Sequence, residues 1–332
     1  MNTSRRIAPI TVFALAAALG VAGCHSHNNS DQNASADQST QNMSQDPADA
    51  NLSPASDTTA SAPAGSDQSA PAAATTQATN ASYESTPEDT GEQPVAQAPQ
   101  PPPELPQYSQ PPCPGDGYIW TPGYWNYAPT GYFWVPGVWT RAPYEGALWT
   151  PPYWGWNNGV YALFPGHWGV HIGFYGGVNY GFGYTGLGYH GGYWNHGVFN
   201  YNRTVNNINT TTIRNVYTYN IVNKTNVTRV SYNGGHGGIA VRPRPAEIAA
   251  VREPRAPRMN TQIQHVEAAR ADHNQFAQVN HGRPATVAQE HPIEADRDVH
   301  PAVRPVERPA ARPEPHPVEH RAPARPEHPE RK

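Results

Sequence analysis

Cysteine is scarce in this 332-residue chain and serine is nearly absent after Gly115, and both features argue against most nucleophilic chemistry. Only two cysteines occur, Cys24 and Cys113, and Ser231 is the one serine after Gly115. Ser231 has no nucleophile-elbow motif around it, and two distant cysteines do not have the spacing of a zinc site. We therefore expect neither a hydrolase triad nor a cofactor.

Carboxylates are equally sparse in the middle of the chain. Asp116 and Glu145 are the only ones between Leu105 and Ala246. Glycoside hydrolysis ordinarily needs a positioned pair of carboxylates, so an enzyme of that class would have to use these two. We predict that the chain is not an enzyme and has no catalytic residues.

The histidines of the same region do not predict a metal site. Only His167 and His171 have a helical spacing, and their glycine-rich surroundings disfavour a helix. The histidines considered are His167, His171, His190, His196 and His236.

No apolar run reaches the length of about 20 residues that a membrane-spanning helix needs. The apolar stretch at 7–19 follows Arg5 and Arg6 and leads to Val-Ala-Gly-Cys at 21–24. This order resembles a bacterial lipoprotein signal peptide. The resemblance implies a lipidated Cys24 and attachment to the membrane through acyl chains. His25, where inner-membrane lipoproteins have Asp, implies the outer membrane; an ordinary signal peptide is the alternative.

Basic residues are absent from residues 25–112, where eleven acidic residues occur among Ser, Ala, Gln, Asn, Thr and Pro. Few large apolar side chains are present to offset chain entropy, so we predict a disordered acidic tether. Its root-mean-square span as a flexible coil would be about 50 Å. Proline runs at 101–103 and 111–112 stiffen the distal end.

Aromatic residues, by contrast, are abundant, and they form a repeat. The sequence Tyr-Ile-Trp-Thr-Pro-Gly-Tyr-Trp at 118–125 returns as Tyr-Phe-Trp-Val-Pro-Gly-Val-Trp at 132–139. Less faithful copies follow at 147–154 and 161–168. A short unit that recurs at a fixed spacing indicates an internal array.

The Pro-Gly step inside the first two copies predicts a type II turn. If that turn closes a hairpin, Trp120 faces Trp125 and Trp134 faces Trp139. The same geometry places Arg141 opposite Tyr132, within reach of a cation–π contact.

This repeat resembles that of the bacterial WxxGxW (YxWGxW) repeat proteins, a group of secreted and envelope proteins. The matching residues are Trp120, Gly123, Trp125, Trp134, Gly137 and Trp139, with Tyr118 and Tyr132 as leading aromatics. Pro152 and Leu163 depart from the pattern in the last two copies. The resemblance implies an envelope location and no particular activity.

Two interpretations of the tryptophans stay open. They pack on one another as a core, or their faces form a surface for stacking sugar rings. The stacking residues would be Trp120, Trp125, Trp134, Trp139, Trp149 and Trp154. The corresponding functions are a non-catalytic structural or interaction role in the envelope, and a module binding peptidoglycan or envelope polysaccharide.

Strand-forming sequence continues after the repeats. Tyr180, Phe182 and Tyr184 alternate with glycine, as in one strand with an aromatic face. Residues 200–232 are rich in Asn, Thr and β-branched side chains and predict strands or an asparagine ladder. A capping-box pattern at Thr261 and Gln264 predicts a helix over residues 262–280.

The fold class predicted is mainly β, with short aromatic hairpins, Gly/Asn-rich strands and one C-terminal helix. The segments are the signal peptide 1–24, the tether 25–112, the repeats 113–168, a Gly/aromatic and then Asn/Thr-rich β region 169–240, a basic linker with the helix 241–290, and a disordered Pro/Arg/Glu/His tail 291–332.

Cys113 would be the only thiol left in an oxidising compartment once Cys24 is lipidated. Such an unpaired cysteine predicts a disulfide-linked dimer or an exposed free thiol, and the alternative is that it is incidental. The partners expected are thus the membrane, an envelope glycan, or a second copy of the chain. A nucleic acid is not expected.

Overall fold

The repeat region folds as two long antiparallel hairpins, each of which contains two copies of the aromatic unit. This arrangement belongs to a computed structural model that describes residues 46–54, 84–221, 228–296 and 299–301. The predicted signal peptide 1–24 and the tail beyond residue 301 lie outside these residues.

Strands predominate in the described residues, which confirms the mainly β prediction. The strands are β1 (Ala96–Ala98), β2 (Tyr118–Thr121), β3 (Tyr124–Ala128), β4 (Gly131–Val135), β5 (Val138–Arg141), β6 (Leu148–Thr150), β7 (Tyr153–Asn157), β8 (Val160–Phe164), β9 (His167–Gly169), β10 (Asn179–Gly181), β11 (Tyr184–Thr185), β12 (Gly192–Asn195), β13 (Val198–Asn202), β14 (Val216–Tyr217), β15 (Tyr232–Asn233) and β16 (Arg255–Ala256). The helices are α1 (Pro87–Thr90), α2 (Pro245–Val251), α3 (Asn260–Ala271) and α4 (Ala277–Asn280), with 3-10 turns at Pro47–Asn51 and His273–Gln275.

The first hairpin pairs strands from different copies of the repeat. Strand β2 pairs with β5, and β3 pairs with β4, so Trp120 faces Trp139 and Trp125 faces Trp134. The predicted pairing within one copy is therefore wrong. The Pro-Gly step bends each strand without reversing it. The predicted type II turn is also wrong, because neither Gly123 nor Gly137 has the positive φ that such a turn requires. Arg141 correspondingly lies over the ring of Tyr118, at 5.5 Å from its centroid.

The second hairpin repeats this plan 29 residues further along the chain. Strand β6 pairs with β9, and β7 pairs with β8. Its turn is Asn158-Gly159, with φ angles of 47° and 84°. Two residues with positive φ are the signature of a type I′ turn, which suits the twist of a hairpin.

The second hairpin takes part in two larger sheets, whereas β2-β5 and β3-β4 of the first hairpin are two-stranded. One has the order β1-β8-β7-β15 and the other has the order β16-β9-β6. A third sheet, β12-β13-β14, and the hairpin β10-β11 come from the region that follows the repeats.

The prediction that residues 25–112 form a disordered tether is wrong for the parts of this segment that the structure describes. Strand β1 pairs with β8, and residues 46–54 include a 3-10 turn with Ala48 and Asn51 buried. Residues 100–114, which we call the proline strap, run along the first hairpin. Carbonyl groups in an extended proline-rich segment have no ladder partners of their own, so they can accept hydrogen bonds from side chains.

The alternating segment at 179–185 is also not one strand. It folds back as β10-β11, with positive φ at Gly181, Phe182 and Gly183. Tyr180 and Tyr184 still reach the core, where their hydroxyl groups donate to the carbonyls of Pro152 and Trp149.

The asparagine-rich region forms less strand than its composition predicts. Between residues 203 and 231 the described part contains only β14, and asparagine side chains bond to the backbone there. The Asn202 amide, for instance, donates to the carbonyls of His190 and Tyr219. Such local bonds offer the chain an alternative to a sheet ladder.

The predicted C-terminal helix is present but broken. Helix α3 ends at Ala271, and the carboxylate of the following Asp272 accepts from Asn274 N and starts a 3-10 turn. The capping residues are Met259 and Gln262 rather than Thr261 and Gln264. Helix α2, which begins with Pro245 and carries Glu247 as its third residue, was missed by the sequence analysis.

Residues that follow the helices lie along the free side of β5. Ile293 N donates to the Trp139 carbonyl, and Arg141 N donates to the Ile293 carbonyl, both at 2.8 Å. The predicted disordered tail is thus wrong for residues 291–296. The first hairpin is held between this segment and the proline strap.

Candidate functional site

The two copies in the first hairpin pack tryptophan against glycine reciprocally. A β-carbon built on Gly123 would lie 2.3 Å from the Trp134 ring, and one built on Gly137 would lie 2.6 Å from the Trp120 ring. Each copy therefore supplies the glycine that makes room for the first tryptophan of the other copy. The motif needs glycine here for close approach, whatever the turn type.

The second tryptophan of each copy completes the arrangement across the strands. The ring centroids of Trp120 and Trp139 are 5.4 Å apart, and those of Trp125 and Trp134 are 5.3 Å apart. Both pairs are close to edge-to-face, the geometry that aromatic quadrupoles favour.

The two departures from the motif replace a contacting pair of the first hairpin. Leu163 stands where Trp134 stands in the first hairpin, and Pro152 stands where Gly123 stands. Leucine is smaller than the indole that lies against Gly123, so this position does not require glycine in the second hairpin. Gly166 is retained, and a β-carbon there would lie 2.5 Å from the Trp149 ring.

The proline strap and the C-terminal segment satisfy three of the four indole N–H groups of the first hairpin, and that of Trp120 has no hydrogen-bond partner among the described residues. Trp125 Nε1 donates to the Glu104 carbonyl at 3.0 Å, and Trp139 Nε1 donates to the Pro111 carbonyl at 2.8 Å. Trp134 Nε1 donates to the Val287 carbonyl at 3.0 Å. A buried donor without a partner would cost about 1–3 kcal/mol, so the hairpin depends on both flanking segments.

The six predicted stacking tryptophans are buried, each at most 3% exposed. Sugar stacking requires an open indole face, so the prediction of a stacking surface on these side chains is wrong. The interpretation as core is the one that this burial supports. Only Trp156 and Trp194 of the nine tryptophans are half-buried.

A family model described as the WXXGXW repeat matches residues 115–140, in two copies. The chain contains the WXXGXW repeat. The matched segment is the first hairpin, and the second WXXGXW-like hairpin extends beyond it. No curated protein and no solved structure gives a match.

Cys113 lies at the end of the proline strap, beside the first WXXGXW hairpin. It is 6% exposed, and its thiol donates to the Gly115 carbonyl at 3.3 Å. Burial raises the pKa of the Cys113 thiol to about 11. A buried, protonated thiol is a poor nucleophile for disulfide formation, which weighs against the predicted disulfide dimer.

Asp116 and Glu145 line the same surface depression, of about 350 Å³. Arg141, Tyr144 and Trp194 share its wall, and both carboxylates are exposed. The structure thus brings together the one pair of carboxylates that the sequence offers for acid–base work. They remain the pair to remove in a test for catalysis.

The described helices are all too short or too polar to cross a membrane.

A cluster of charged groups lies where the second WXXGXW-like hairpin meets the segment that contains α1. His167 Nδ1 is 3.5 Å from Glu92 Oε1, and the Arg255 guanidinium is 3.6 Å from the same oxygen. Burial raises the pKa of Glu92 to about 7, against the opposing charges of Arg255 and Arg258. Burial also lowers the pKa of His167 to about 3, so this imidazole stays neutral.

We expect Glu92→Gln to stabilise the protein at pH 8 and to leave its stability at pH 4.5 nearly unchanged. The folded pKa of Glu92 exceeds its ordinary value of 4.5. The contribution of Glu92 to the free energy of unfolding is therefore fully present below about pH 4.5, and it is lost as the pH rises through about 7. Urea unfolding of both proteins at several pH values measures this difference.

His167 has the opposite effect, since its depressed pKa removes stability as the pH falls below about 6.5. This contribution is common to both proteins and cancels in the comparison. Glu104→Gln is the matched control, because Glu104 is exposed and also pairs with an arginine, Arg229. A constant difference between Glu92→Gln and the parent across the pH range would contradict the prediction.

Proposed function

We propose that this chain is an envelope-anchored lipoprotein with a structural, non-catalytic role, in which the WXXGXW hairpins form a rigid scaffold. The observation that carries the proposal is the burial of the repeat tryptophans in reciprocal packing. The residues that define the motif face one another, so the repeat specifies a fold rather than a ligand surface. The anchor is supported by the lipoprotein-like sequence at residues 1–24.

The scaffold has the construction expected of a spacer held away from a membrane. Its two hairpins are joined directly, because Trp154 Nε1 of the second donates to the Trp125 carbonyl of the first at 2.8 Å. The flanking segments on both sides supply hydrogen-bond acceptors to the indoles. A structure closed in this way resists local opening, since opening would expose several tryptophans at once.

The test separates a scaffold from a glycan-binding module. We expect the full chain carrying Cys24→Ser to show blue-shifted tryptophan emission and weak quenching by acrylamide, and not to sediment with peptidoglycan sacculi. Replacing Trp156 and Trp194 with phenylalanine should remove most of the residual quenching, because only these two are half-buried. Binding to sacculi that protects the tryptophans from acrylamide would favour the glycan module.

The anchor and the absence of catalysis are tested with two further variants. The parent chain should fractionate with the outer membrane, whereas Cys24→Ser should be released as a soluble protein. Asp116→Asn combined with Glu145→Gln should leave the envelope phenotype of a deletion strain fully complemented. Loss of complementation with an unchanged fold would indicate that the depression between these carboxylates is a working site.

A further inference from the structure

We propose that Asp46, Asp49 and His190 form a binding site for a divalent transition-metal ion. The three side chains come from distant parts of the sequence, since Asp46 and Asp49 lie in the predicted tether and His190 precedes β12. One ligand atom from each lies within 4.8 Å of the others. Sequence spacing gave no sign of this cluster, because the histidine and the carboxylates are more than 140 residues apart.

The geometry of the cluster suits coordination. Asp46 Oδ2 is 2.8 Å from His190 Nδ1, and the other oxygen, Oδ1, accepts from Ala48 N at 3.0 Å. The Tyr217 hydroxyl lies 3.4 Å from the same Oδ1. These bonds orient the carboxylate with Oδ2 directed at the imidazole, as outer partners orient ligands in metal sites.

The charge balance around Asp46 points to a cation. Asp46 is 2% exposed, and a second carboxylate, Asp49, lies beside it. Within the described residues, neither carboxylate forms an ion pair with a lysine or an arginine. The positive groups nearby are His190, at hydrogen-bond distance from Asp46, and Arg244, which lines the same cavity and pairs with Glu247. Buried charges are costly unless they are paired or bound to a metal, and a divalent ion would neutralise both carboxylates.

The segment that carries the two aspartates is held in place by its own bonds. The Asn51 amide donates to the carbonyls of Tyr189 and Gly192, both at 2.8 Å, and Ile172 N donates to the Asn51 carbonyl. Tyr189 and Gly192 flank His190 in the sequence. The same short segment therefore fixes both sides of the site.

The site also has space for further ligands. Asp49 and His190 line a cavity of about 760 Å³, whose other walls include Leu52, Tyr189 and Arg244. One imidazole and two carboxylates leave coordination positions that water or a small ligand would occupy on the cavity side. An imidazole with carboxylates suits Zn²⁺, Co²⁺ or Mn²⁺ better than Ca²⁺, which takes oxygen ligands.

A metal ion here would act as a clamp between residues 46–54 and the sheet β12-β13-β14. Because metal binding to such a site contributes directly to folding, the segment would be held more firmly with the ion than without it. In the lipoprotein proposed above, this clamp would shorten the chain between Cys24 and the hairpins. That consequence rests on the proposed function, whereas the metal site does not.

The test must separate this site from the histidines of the tail. The protein is the full chain with Cys24→Ser and with the five tail histidines replaced by asparagine, namely His291, His300, His316, His320 and His328. The metal-free protein is titrated with Zn²⁺ by calorimetry, and with Co²⁺ while its visible absorption is recorded. We expect one equivalent to bind, with a Co²⁺ spectrum typical of nitrogen and oxygen ligands.

Three variants then assign the ligands. Asp46→Asn and His190→Gln should each weaken Zn²⁺ binding at least about 10-fold. Asp49→Asn should weaken Zn²⁺ binding by a similar factor. Because Asp49 is exposed, this variant should remain folded, so a loss of binding reports on the ligand alone. His196→Gln is the matched control, since it changes an exposed histidine close to β12, and it should bind Zn²⁺ like the parent.

A second readout follows the clamp itself. Saturating Zn²⁺ should slow proteolytic cleavage around residues 46–54 in the parent protein and should have no effect in Asp49→Asn. The proposal is overturned if the tail-substituted chain binds no stoichiometric Zn²⁺, which would assign any binding by the natural chain to its tail. It is also overturned if Asp49→Asn and His190→Gln, folded by near-ultraviolet circular dichroism, bind Zn²⁺ with unchanged affinity.

Discussion

Replacing Gly123 with alanine is expected to lower the free energy of unfolding by about 3 kcal/mol, at the upper end of the usual cost of overpacking. The added methyl group would lie 2.3 Å from the Trp134 ring and 2.8 Å from Gly137 N. Neither neighbour can move easily, because one is a buried indole in a cross-strand pair and the other is backbone. Urea unfolding monitored by far-ultraviolet circular dichroism measures the loss.

The same position offers a rescue that no general destabilisation would show. Gly123→Pro alone should be more damaging than Gly123→Ala, since the ring is larger and removes the N–H that donates to the Tyr108 hydroxyl. Gly123→Pro combined with Trp134→Leu reproduces the pair Pro152 and Leu163 of the second hairpin. We expect the double variant to be more stable than the sum of the single effects predicts, by about 1–3 kcal/mol.

Gly115→Ala is the control for this series. Gly115 lies just before the first hairpin, and a β-carbon built on it meets nothing within 4 Å. The substitution should change stability by less than about 0.5 kcal/mol. Strictly additive effects of Gly123→Pro and Trp134→Leu would show that the two positions do not compensate each other.

Trp154→Ala should cost about 3–5 kcal/mol, the range for removing a buried aromatic side chain. Trp154 is 2% exposed, and its ring centroid lies 5.2 Å from that of Tyr132 in the first hairpin. Its Nε1 donates to the Trp125 carbonyl, so the truncation removes both the packing and the hydrogen bond that join the two hairpins.

Trp154→Phe separates these two contributions, because it keeps a ring and removes the donor. It should cost less than Trp154→Ala while leaving the Trp125 carbonyl without its indole partner. Trp156→Ala is the matched control on the same strand, since Trp156 is only half-buried and lies across from Tyr161 within its own hairpin. An equal loss for Trp154→Ala and Trp156→Ala would contradict the view that Trp154 joins the hairpins.

The sequence was sufficient to predict the repeat and a mainly β fold, but not which strands pair. Both choices pair tryptophan with tryptophan, since Trp120 falls opposite Trp125 within one copy, or opposite Trp139 between copies. Pairing between copies follows in the first hairpin from a bend at Pro122-Gly123 that does not reverse the chain. In the second hairpin it follows from the turn at Asn158-Gly159, between two copies. That Asn-Gly pair was the local signal that could have indicated the correct pairing.

Composition was misleading for the flanking segments. A segment with few apolar side chains gives little reason to predict a fixed position. The proline strap is nevertheless fixed, because its carbonyl groups satisfy Trp125 and Trp139, and those donors belong to another part of the chain. The cluster of Asp46 and His190 was missed for the same reason, since its members are brought together only by tertiary structure.

The reciprocal contact between Gly123 and Trp134, and between Gly137 and Trp120, has a consequence for how such arrays can lengthen. A solitary copy has a tryptophan with no glycine opposite it and a glycine with no indole to receive. Duplication of one 14-residue unit would therefore leave an unmatched strand, whereas duplication of a whole hairpin adds a self-consistent block. Copy number in this architecture should be even, and a second hairpin 29 residues after the first is what one such doubling would produce.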